Sequence, residues 1–462
     1  MQVKVAGYNI DSSLIAKLDS DVATPEVLSA AYARISRSKK NVEELRIEAL
    51  EHIAKARNSN EKIIFEMGHA SVAEHAVFNL DLIGISRHLT ELVQRSRLAS
   101  FTEKSQRYVT FEKDYLIPAE LEEDAELSGT YTKICDALFK EYLQSTNLLA
   151  EHLAKRNPNL DKRTLLTMAK EDARYILPLA TKTQMGMTIN CRSLEVLLTR
   201  LNQSPLNEAK QLYELIYSQV SKVAPSLLRY TDADKDCFNL PDLEFEPSSA
   251  LPAKLPHSQL LSATANADAR IIALMYYEQG KGDLKTLEKH FATLSPNELS
   301  ELWQGFFQGL KPWQKLPRAF ELMEFEYLVT LSESAWAQFK RHRTATLIKA
   351  STEQQNTEII IPASIREINR SDEWKRLFKE VKNHRRPLPR HLGAYLHLNA
   401  ESTSVYAKLN LRELYHFSRL RCDEHAQWEI RDLALQMVEQ AKPHAPYATS
   451  RLGGKSQFDT LS

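Results

Sequence analysis

Hydrophobic positions along the chain alternate between helical and strand periods. Residues Val42 to Arg57 place Leu45, Ala49, Ile53 and Ala56 at three- to four-residue spacing, which predicts an amphipathic helix. The first 60 residues as a whole read as helical, and Glu61 to Met67 is a short apolar stretch. Ala76 to Ile85 (AVFNLDLIGI) partly alternates and is rich in β-branched and aromatic residues, so it predicts a strand. Helices are expected over Arg87 to Ala99 and, long and amphipathic, over Leu127 to Arg156. Helical patterns resume near Leu260 and run to about Phe307.

Between these halves the periodicity fades. Residues 231 to 257 contain Pro241, Pro247, Pro252 and Pro256 and read as a linker. Matching motifs lie on either side of it. RSRLASFTEKSQRY begins at Arg95 and RHRTATLIKASTEQQ at Arg341, each with Arg-x-Arg and a serine ten residues after the first arginine, Ser105 and Ser351. NCRSL at Asn190 and NLREL at Asn410 follow in the same order. The separations are 246 and 220 residues. Two diverged copies of one domain are therefore expected, residues 1–235 and 259–462, joined by a proline-rich linker at 236–258.

Composition narrows the chemistry. The 462 residues carry 60 basic and 60 acidic side chains, and this zero balance argues against a nucleic-acid polymer as partner. With 43% hydrophobic residues the chain has enough apolar surface for a sizeable core. Its 12 glycines form neither GxGxxG after a strand nor GxxxxGK[ST], so side chains must hold any phosphate. Cys135, Cys191, Cys237 and Cys422 lie far apart, which predicts neither a zinc site nor a disulfide framework. The N-terminal residues lack an apolar leader core and no stretch approaches the ~18 apolar residues of a membrane span, so the cytoplasm is the expected location.

Arginine pairs are the first candidates for chemistry, because the guanidinium fork donates two hydrogen bonds to one phosphate. Arg95 and Arg97 suit the end of a helix, where both turn to one anion, with Arg107 and Ser105 nearby; the alternative is a solvated basic helix end. Asn190 with Arg192, and Asn410 with Arg412, either share a strand face or mark a strand-to-helix junction capped by asparagine. His416 suits either a ligand ring or a structural role, and Trp428 is expected in the core. His69, Glu74 and His75 match no standard zinc spacing, and His425 with Glu429 lacks a third ligand. No GxSxG elbow supports a serine hydrolase. HRRPLPRH, from His384 to His391, reads as a proline-broken surface loop.

GHASVAEHAVFNLDLIGISRHLTELVQRSRLASFTEKSQRY resembles the flavin-dependent thymidylate synthases, whose hallmark is Arg-His-Arg, seven residues, then Ser. The second copy carries the hallmark whole, at Arg341, His342, Arg343 and Ser351. ARYILP, from Ala173 to Pro178, and NLRELYHFSRLRCDEHAQWEIR resemble that family's middle and C-terminal signatures. The resemblance implies a mixed α/β (α+β) fold, helix-rich, in which each copy is an antiparallel sheet flanked by helices. It implies FAD as cofactor and NADPH and methylenetetrahydrofolate as co-substrates in converting dUMP to dTMP. The family's homotetramer implies, for a tandem chain, a homodimer that mimics it, with composite pockets drawing Ser105, Arg107 and Arg174 from one copy and Arg421 from the other.

Carried over by position, His69, Ser71, Arg95, Arg97, Asn190 and Arg192 match flavin contacts in the first copy, and Ser105, Arg107 and Arg174 match nucleotide contacts. Yet Ser96 replaces the hallmark histidine, Leu92 a glutamine near the uracil, and Leu201 a pyrimidine-contacting arginine, with Arg200 one place early. In the second copy Arg341, His342, Arg343, Asn410, Arg412 and His416 match flavin positions, and Ser351 a substrate position. Gln338 and Arg421 match that glutamine and arginine and are the candidates for catalytic contact. Glu353 and Ala394 stand where Arg107 and Arg174 have their equivalents, and the His69 region has no clear counterpart. The departures leave two alternatives: a flavoenzyme acting on another nucleotide or base, and a degenerate non-catalytic flavin- or nucleotide-binding paralogue.

Overall fold

The computed structural model describes residues 1–10, 24–34, 38–66, 69–231, 254–311, 313–351 and 358–460. Most of the expected linker, with Pro241, Pro247 and Pro252, lies outside the described residues. In chain order the elements are β1 (Gln2–Tyr8), α1 (Glu26–Arg34), α2 (Val42–Glu51), α3 (Ile53–Glu61), β2 (Val77–Ser86), α4 (Arg87–Val93), β3 (Ala99–Glu103), α5 (Ala125–Arg156), α6 (Lys162–Ala173), β4 (Lys182–Asn190), α7 (Cys191–Asn202) and α8 (Asn207–Val223). There follow β5 (His257–Ala263), α9 (Ala267–Glu278), α10 (Leu284–Ala292), α11 (Pro296–Phe307), β6 (Glu324–Ser332), α12 (Glu333–Phe339), β7 (Thr346–Lys349), α13 (Ala363–Glu367), α14 (Ser371–Arg385), α15 (Arg390–Gly393), β8 (Ser402–Asn410), α16 (Leu411–Arg421) and α17 (Trp428–Ala441).

The elements gather into two compact units. Unit 1 comprises Met1–Phe245 and Glu367–His397, and unit 2 comprises Glu246–Arg366 and Leu398–Ser462. Each unit holds one four-stranded antiparallel sheet, ordered β1-β2-β4-β3 and β5-β6-β8-β7. The registers correspond: Phe78 lies opposite Ile189, and Phe325 opposite Leu409. One face of each sheet is apolar by strand alternation. Met185, Met187 and Ile189 point inward from β4, and Val405, Ala407 and Leu409 from β8. The mixed α/β class and the antiparallel sheets flanked by helices are as the resemblance implies.

In unit 1, α5 begins at Asp124, whose carboxylate accepts from the amides of Glu126 and Leu127 at 3.0 Å. Its buried stripe of Tyr131, Cys135, Leu138 and Tyr142 faces the fold. The late segment in α14 packs here too. Trp374 Nε1 and Arg370 Nε donate to Glu141 Oε1 at 3.1 and 3.0 Å, giving the buried carboxylate its partners. Tyr395 Oη donates to Glu208 Oε2 at 2.8 Å.

Four expectations give way. The first 60 residues open on β1, which pairs with β2. The helix expected over Val42 to Arg57 divides at His52, which leaves helical geometry (φ −134°, ψ 63°). The helix from Arg87 stops at Val93, because Ala99 to Glu103 pairs with β4. Leu260 belongs to β5, opposite Tyr327, so cross-strand pairing overrides the helical pattern there.

Candidate functional site

Both Arg-x-Arg turns are set by the same local device. Ser86 Oγ accepts from Leu89 N at 2.9 Å and starts α4; Ser332 Oγ accepts from Ala335 N at 3.0 Å and starts α12. Each serine also donates to a buried carboxylate, Ser86 to Glu208 at 2.7 Å and Ser332 to Glu429 at 2.6 Å. Two turns later the helices end, and Arg95 with Arg97, and Arg341 with Arg343, lie exposed in the turns that follow. Helix and strand are tied by an ion pair whose sign reverses between copies. Arg87 Nη1 meets Glu103 Oε1 at 2.5 Å, whereas Lys349 Nζ donates to Glu333 Oε2 at 2.7 Å.

Unit 2 encloses a connected polar network behind its turn. His342 is buried, with Nδ1 3.1 Å from Glu413 Oε1. Thr344 Oγ1 donates to the other oxygen of Glu413. Arg421 Nε donates to His342 Nε2 at 3.1 Å, and Nη2 to the carbonyl oxygen of Gln338 at 3.2 Å. The Phe417 ring packs edge-on to the imidazole at 4.9 Å, and exposed His416 lies 5.6 Å away. Burial, and then the charge of Arg421, holds His342 below its ordinary pKa. Burial alone would raise Glu413, but the bonds from His342 and Thr344 more than offset it and its pKa is lowered. Gln338 is buried, 3.5 Å from Gln427. The sequence reading missed Glu413 and Thr344; a carboxylate just after the Asn-x-Arg motif was the available signal.

Unit 1 gathers Ser105, Arg107 and Arg174 near Glu171 instead. Ser105 Oγ accepts from Arg107 N at 3.2 Å, which curls the chain after β3. Arg107 forms an ion pair with Glu171, and Arg174 Nε donates to the carbonyl oxygen of Glu171 at 3.1 Å. Arg174 is buried at the start of a short 3₁₀ turn, Arg174–Ile176. Burial raises the Glu171 carboxyl although both arginines act to lower it. The Glu171 carboxylate thus pairs with Arg107, while Arg174 is bonded to the Glu171 backbone and adds its charge nearby, an arrangement that also suits a phosphate. The corresponding turn in the second copy, Ala394–Leu396, begins with alanine. The equivalent of Arg107, Glu353, lies outside the described residues.

The family model described as Thymidylate synthase complementing protein matches residues 17–226 and 259–447. The chain belongs to this family. Its two matched regions make it a tandem form, roughly twice the usual length. A flavin-dependent thymidylate synthase of Clostridium tetani is 30% identical over 217 residues, 46% of this chain and 85% of that protein. The protein named UPF0159 protein Ta1429, from Thermoplasma acidophilum, is 21% identical over 436 residues, 83% of this chain and 86% of its own. A solved structure of thymidylate synthase X from Helicobacter pylori with FAD and dUMP is 20% identical, covers 49% of this chain and 99% of its own, and has a TM-score of 0.32.

Several family positions are engaged within the fold. Asn190 caps α7 by accepting from Ser193 N at 2.9 Å, and Asn410 caps α16 by accepting from Glu413 N at 2.9 Å. The junction reading therefore holds over the shared strand face. Arg192 pairs with Glu74 at 2.6 Å and Arg412 with Glu321 at 2.7 Å, so both copies anchor this arginine on the turn before the central strand. That pairing locates the missing counterpart of the His69 region: five residues before each glutamate stand His69 and Leu316. His69 and Ser71 are exposed, at the start of the turn Ala70–His75, and Ser351 is exposed beyond β7.

Among the described residues no three His, Cys, Asp or Glu side chains group to hold a metal. His425 pairs with Asp423 at 2.8 Å, while Glu429 bonds Ser332. Trp428 is half-buried at the first position of α17 rather than in the core. His384 lies inside α14, so HRRPLPRH is helical at its start rather than loop throughout. No described helix is long and apolar enough to cross a membrane.

Proposed function

We propose that the protein is a flavin-dependent thymidylate synthase-like enzyme that methylates dUMP reductively to dTMP. Methylenetetrahydrofolate would donate the carbon, and NADPH would reduce FAD. The observation that carries this reading is the Arg107 guanidinium on the Glu171 carboxylate, with Arg174 bonded to the Glu171 backbone and the Ser105 hydroxyl on the Arg107 amide. A nucleotide phosphate has the charge and the acceptors to take the place of that carboxylate. The flavin fits the donor set as well. Arg95, Arg97, Arg341 and Arg343 are exposed guanidinium groups in equivalent turns, suited to the charge of a diphosphate. His69, Ser71 and His416 are exposed and complete the flavin set. Asn190, Arg192, Asn410 and Arg412 would shape its walls from their caps and ion pairs. Bound flavin supplies the redox chemistry, and the chain supplies position and electrostatics.

In this reading Gln338 and Arg421 face the pyrimidine, and Glu413 holds Arg421 in place through His342. The phosphate set exists once per chain, since Ala394 and Glu353 replace two of its members in the second copy. Productive nucleotide sites are then fewer than domain copies, and two chains associate as a homodimer in the cytoplasm.

The test is anaerobic reduction of the FAD-loaded protein by NADPH, with and without dUMP, followed by assay of dTMP in the presence of methylenetetrahydrofolate. Faster bleaching of the flavin bands with dUMP, and dTMP formed, are the expected results. Bound flavin indifferent to dUMP would contradict the substrate. Failure to bind FAD in excess would contradict the enzyme.

A further inference from the structure

The turn that carries Ser105 and Arg107 is tied to the end of α6 at two points. One is the ion pair of Arg107 with Glu171. The other is Lys170, whose Nζ donates to the carbonyl oxygen of Tyr108 at 3.1 Å. Within the turn, Ser105 Oγ accepts from Arg107 N at 3.2 Å, and the Ser105 carbonyl oxygen from Val109 N at 3.1 Å. Past Arg107 the side chains of Tyr108 and Val109 are exposed, and the lysine fastens the backbone there.

A lysine in the last turn of a helix ordinarily keeps its ammonium in water and complements the helix dipole. Lys170 departs from that use. It is 6% exposed and reaches a residue 62 positions earlier in the chain. Loss of solvent lowers its pKa. Among the described residues its acceptor is a neutral carbonyl, and no carboxylate pairs with it. Buried Arg174, four residues on, adds a like charge on the same side of the helix. A buried ammonium held this way is costly to stability, so a purely structural use explains it poorly. The second copy has no such lysine. The positions equivalent to Lys170, Glu171 and Arg174 are Arg390, His391 and Ala394, and Arg390 is exposed. The buried lysine thus accompanies the phosphate set and is missing where that set is broken.

We propose that Lys170 is a positioning residue of the nucleotide site, holding the turn that presents the Ser105 hydroxyl and the Arg107 guanidinium. A phosphate that takes Arg107 from Glu171 opens one of the two ties to α6. The bond from Lys170 to Tyr108 remains, and keeps the turn in place while the ligand is bound. Only the identity of the ligand rests on the functional reading above; the clamp does not.

The test is calorimetric titration of dUMP and deoxyuridine into the FAD-loaded full chain, and of inorganic phosphate into the full chain. Lys170→Met removes the ammonium, and Lys170→Arg keeps a charged donor. Lys170→Met is expected to weaken dUMP and phosphate at least about tenfold, and to leave deoxyuridine, which lacks the phosphate, unchanged. Lys170→Arg is expected to recover most of the loss. A folded Lys170→Met protein that binds dUMP as wild type does, or that loses dUMP and deoxyuridine alike, overturns the proposal. If Lys170→Met does not fold, Lys170→Gln, neutral and one bond shorter, replaces it, and unchanged dUMP affinity there overturns the proposal equally. A wild-type protein that binds neither dUMP nor phosphate overturns the clamp and the functional reading together. Phosphate binding that needs Lys170, in a protein that binds no dUMP, sustains the clamp and removes the functional reading instead.

Discussion

Arg421 Nε donates to His342 Nε2 at 3.1 Å, and this bond fixes the tautomer of the imidazole. Nε2 must offer its lone pair, so the proton sits on Nδ1 and is donated to Glu413, 3.1 Å away. Burial keeps the ring neutral, with its pKa below the ordinary value. The unfolded chain therefore takes up this proton first as pH falls below about 6.5. More protons bound in the unfolded state means that stability declines with acid across that window. Urea unfolding at about pH 7.5 and about pH 5.5 is expected to show the decline in the wild type and less of it in His342→Gln. Equal slopes in the two proteins would contradict the neutral assignment.

The reversed ion pair offers a second test. Arg87 and Glu103 are 9% and 6% exposed, and Lys349 and Glu333 are 17% and 2% exposed. Removing one partner leaves a buried charge, at a cost of about 3–5 kcal/mol. Arg87→Glu alone is expected to destabilise at least that much. Arg87→Glu combined with Glu103→Lys rebuilds the pairing used by the second copy and is expected to recover most of the loss. A double variant no more stable than the singles would show that surrounding packing, not the pair, decides the site.

Glu413 joins His342 to Thr344, so truncation should act through both. Glu413→Ala is expected to cost about 1–3 kcal/mol, because it leaves the buried His342 Nδ1–H unsatisfied, and to weaken dUMP binding by releasing Arg421. Glu413→Gln retains acceptors and should lose less. Thermal unfolding and nucleotide titration on the same samples separate the two effects. A stability loss with unchanged dUMP affinity would make Glu413 purely structural.

Asp268 accepts from Ala448 N at 2.6 Å and Tyr447 N at 3.4 Å, and burial raises its pKa to about 6. A raised carboxyl is a burden that appears as pH climbs from the unfolded value through about 6. Asp268→Asn should therefore gain stability relative to wild type as pH rises across that range. Chemical denaturation at pH values on both sides of the window measures it, and a constant difference would refute the assignment.

How much of this was legible in the sequence follows from range. The duplication, the strand at Ala76 to Ile85 and the long α5 were readable because each rests on local periodicity or repeated motifs. The end of α4 was not, since it depends on β3 pairing with β4. Leu260 reads as helical until Tyr327, 67 residues away, supplies its strand partner. Arg95, Arg97, Arg341 and Arg343 fall at helix ends as their spacing predicts. Arg200 and Arg421 look unrelated in register, and only the carbonyl oxygens of Leu92 and Gln338 reveal their common placement. Glu141 and Glu208 likewise gain partners from α14 and Tyr395, residues far along the chain that no local pattern links to them.

In the proposed enzyme the phosphate set of Ser105, Arg107 and Arg174 exists once per chain and serves the nucleotide. Calorimetric titration of dUMP into FAD-loaded protein tests it most directly. The account predicts one dUMP site per chain, abolished by Arg107→Ala. Two equivalent sites per chain, one for each domain copy, would contradict it.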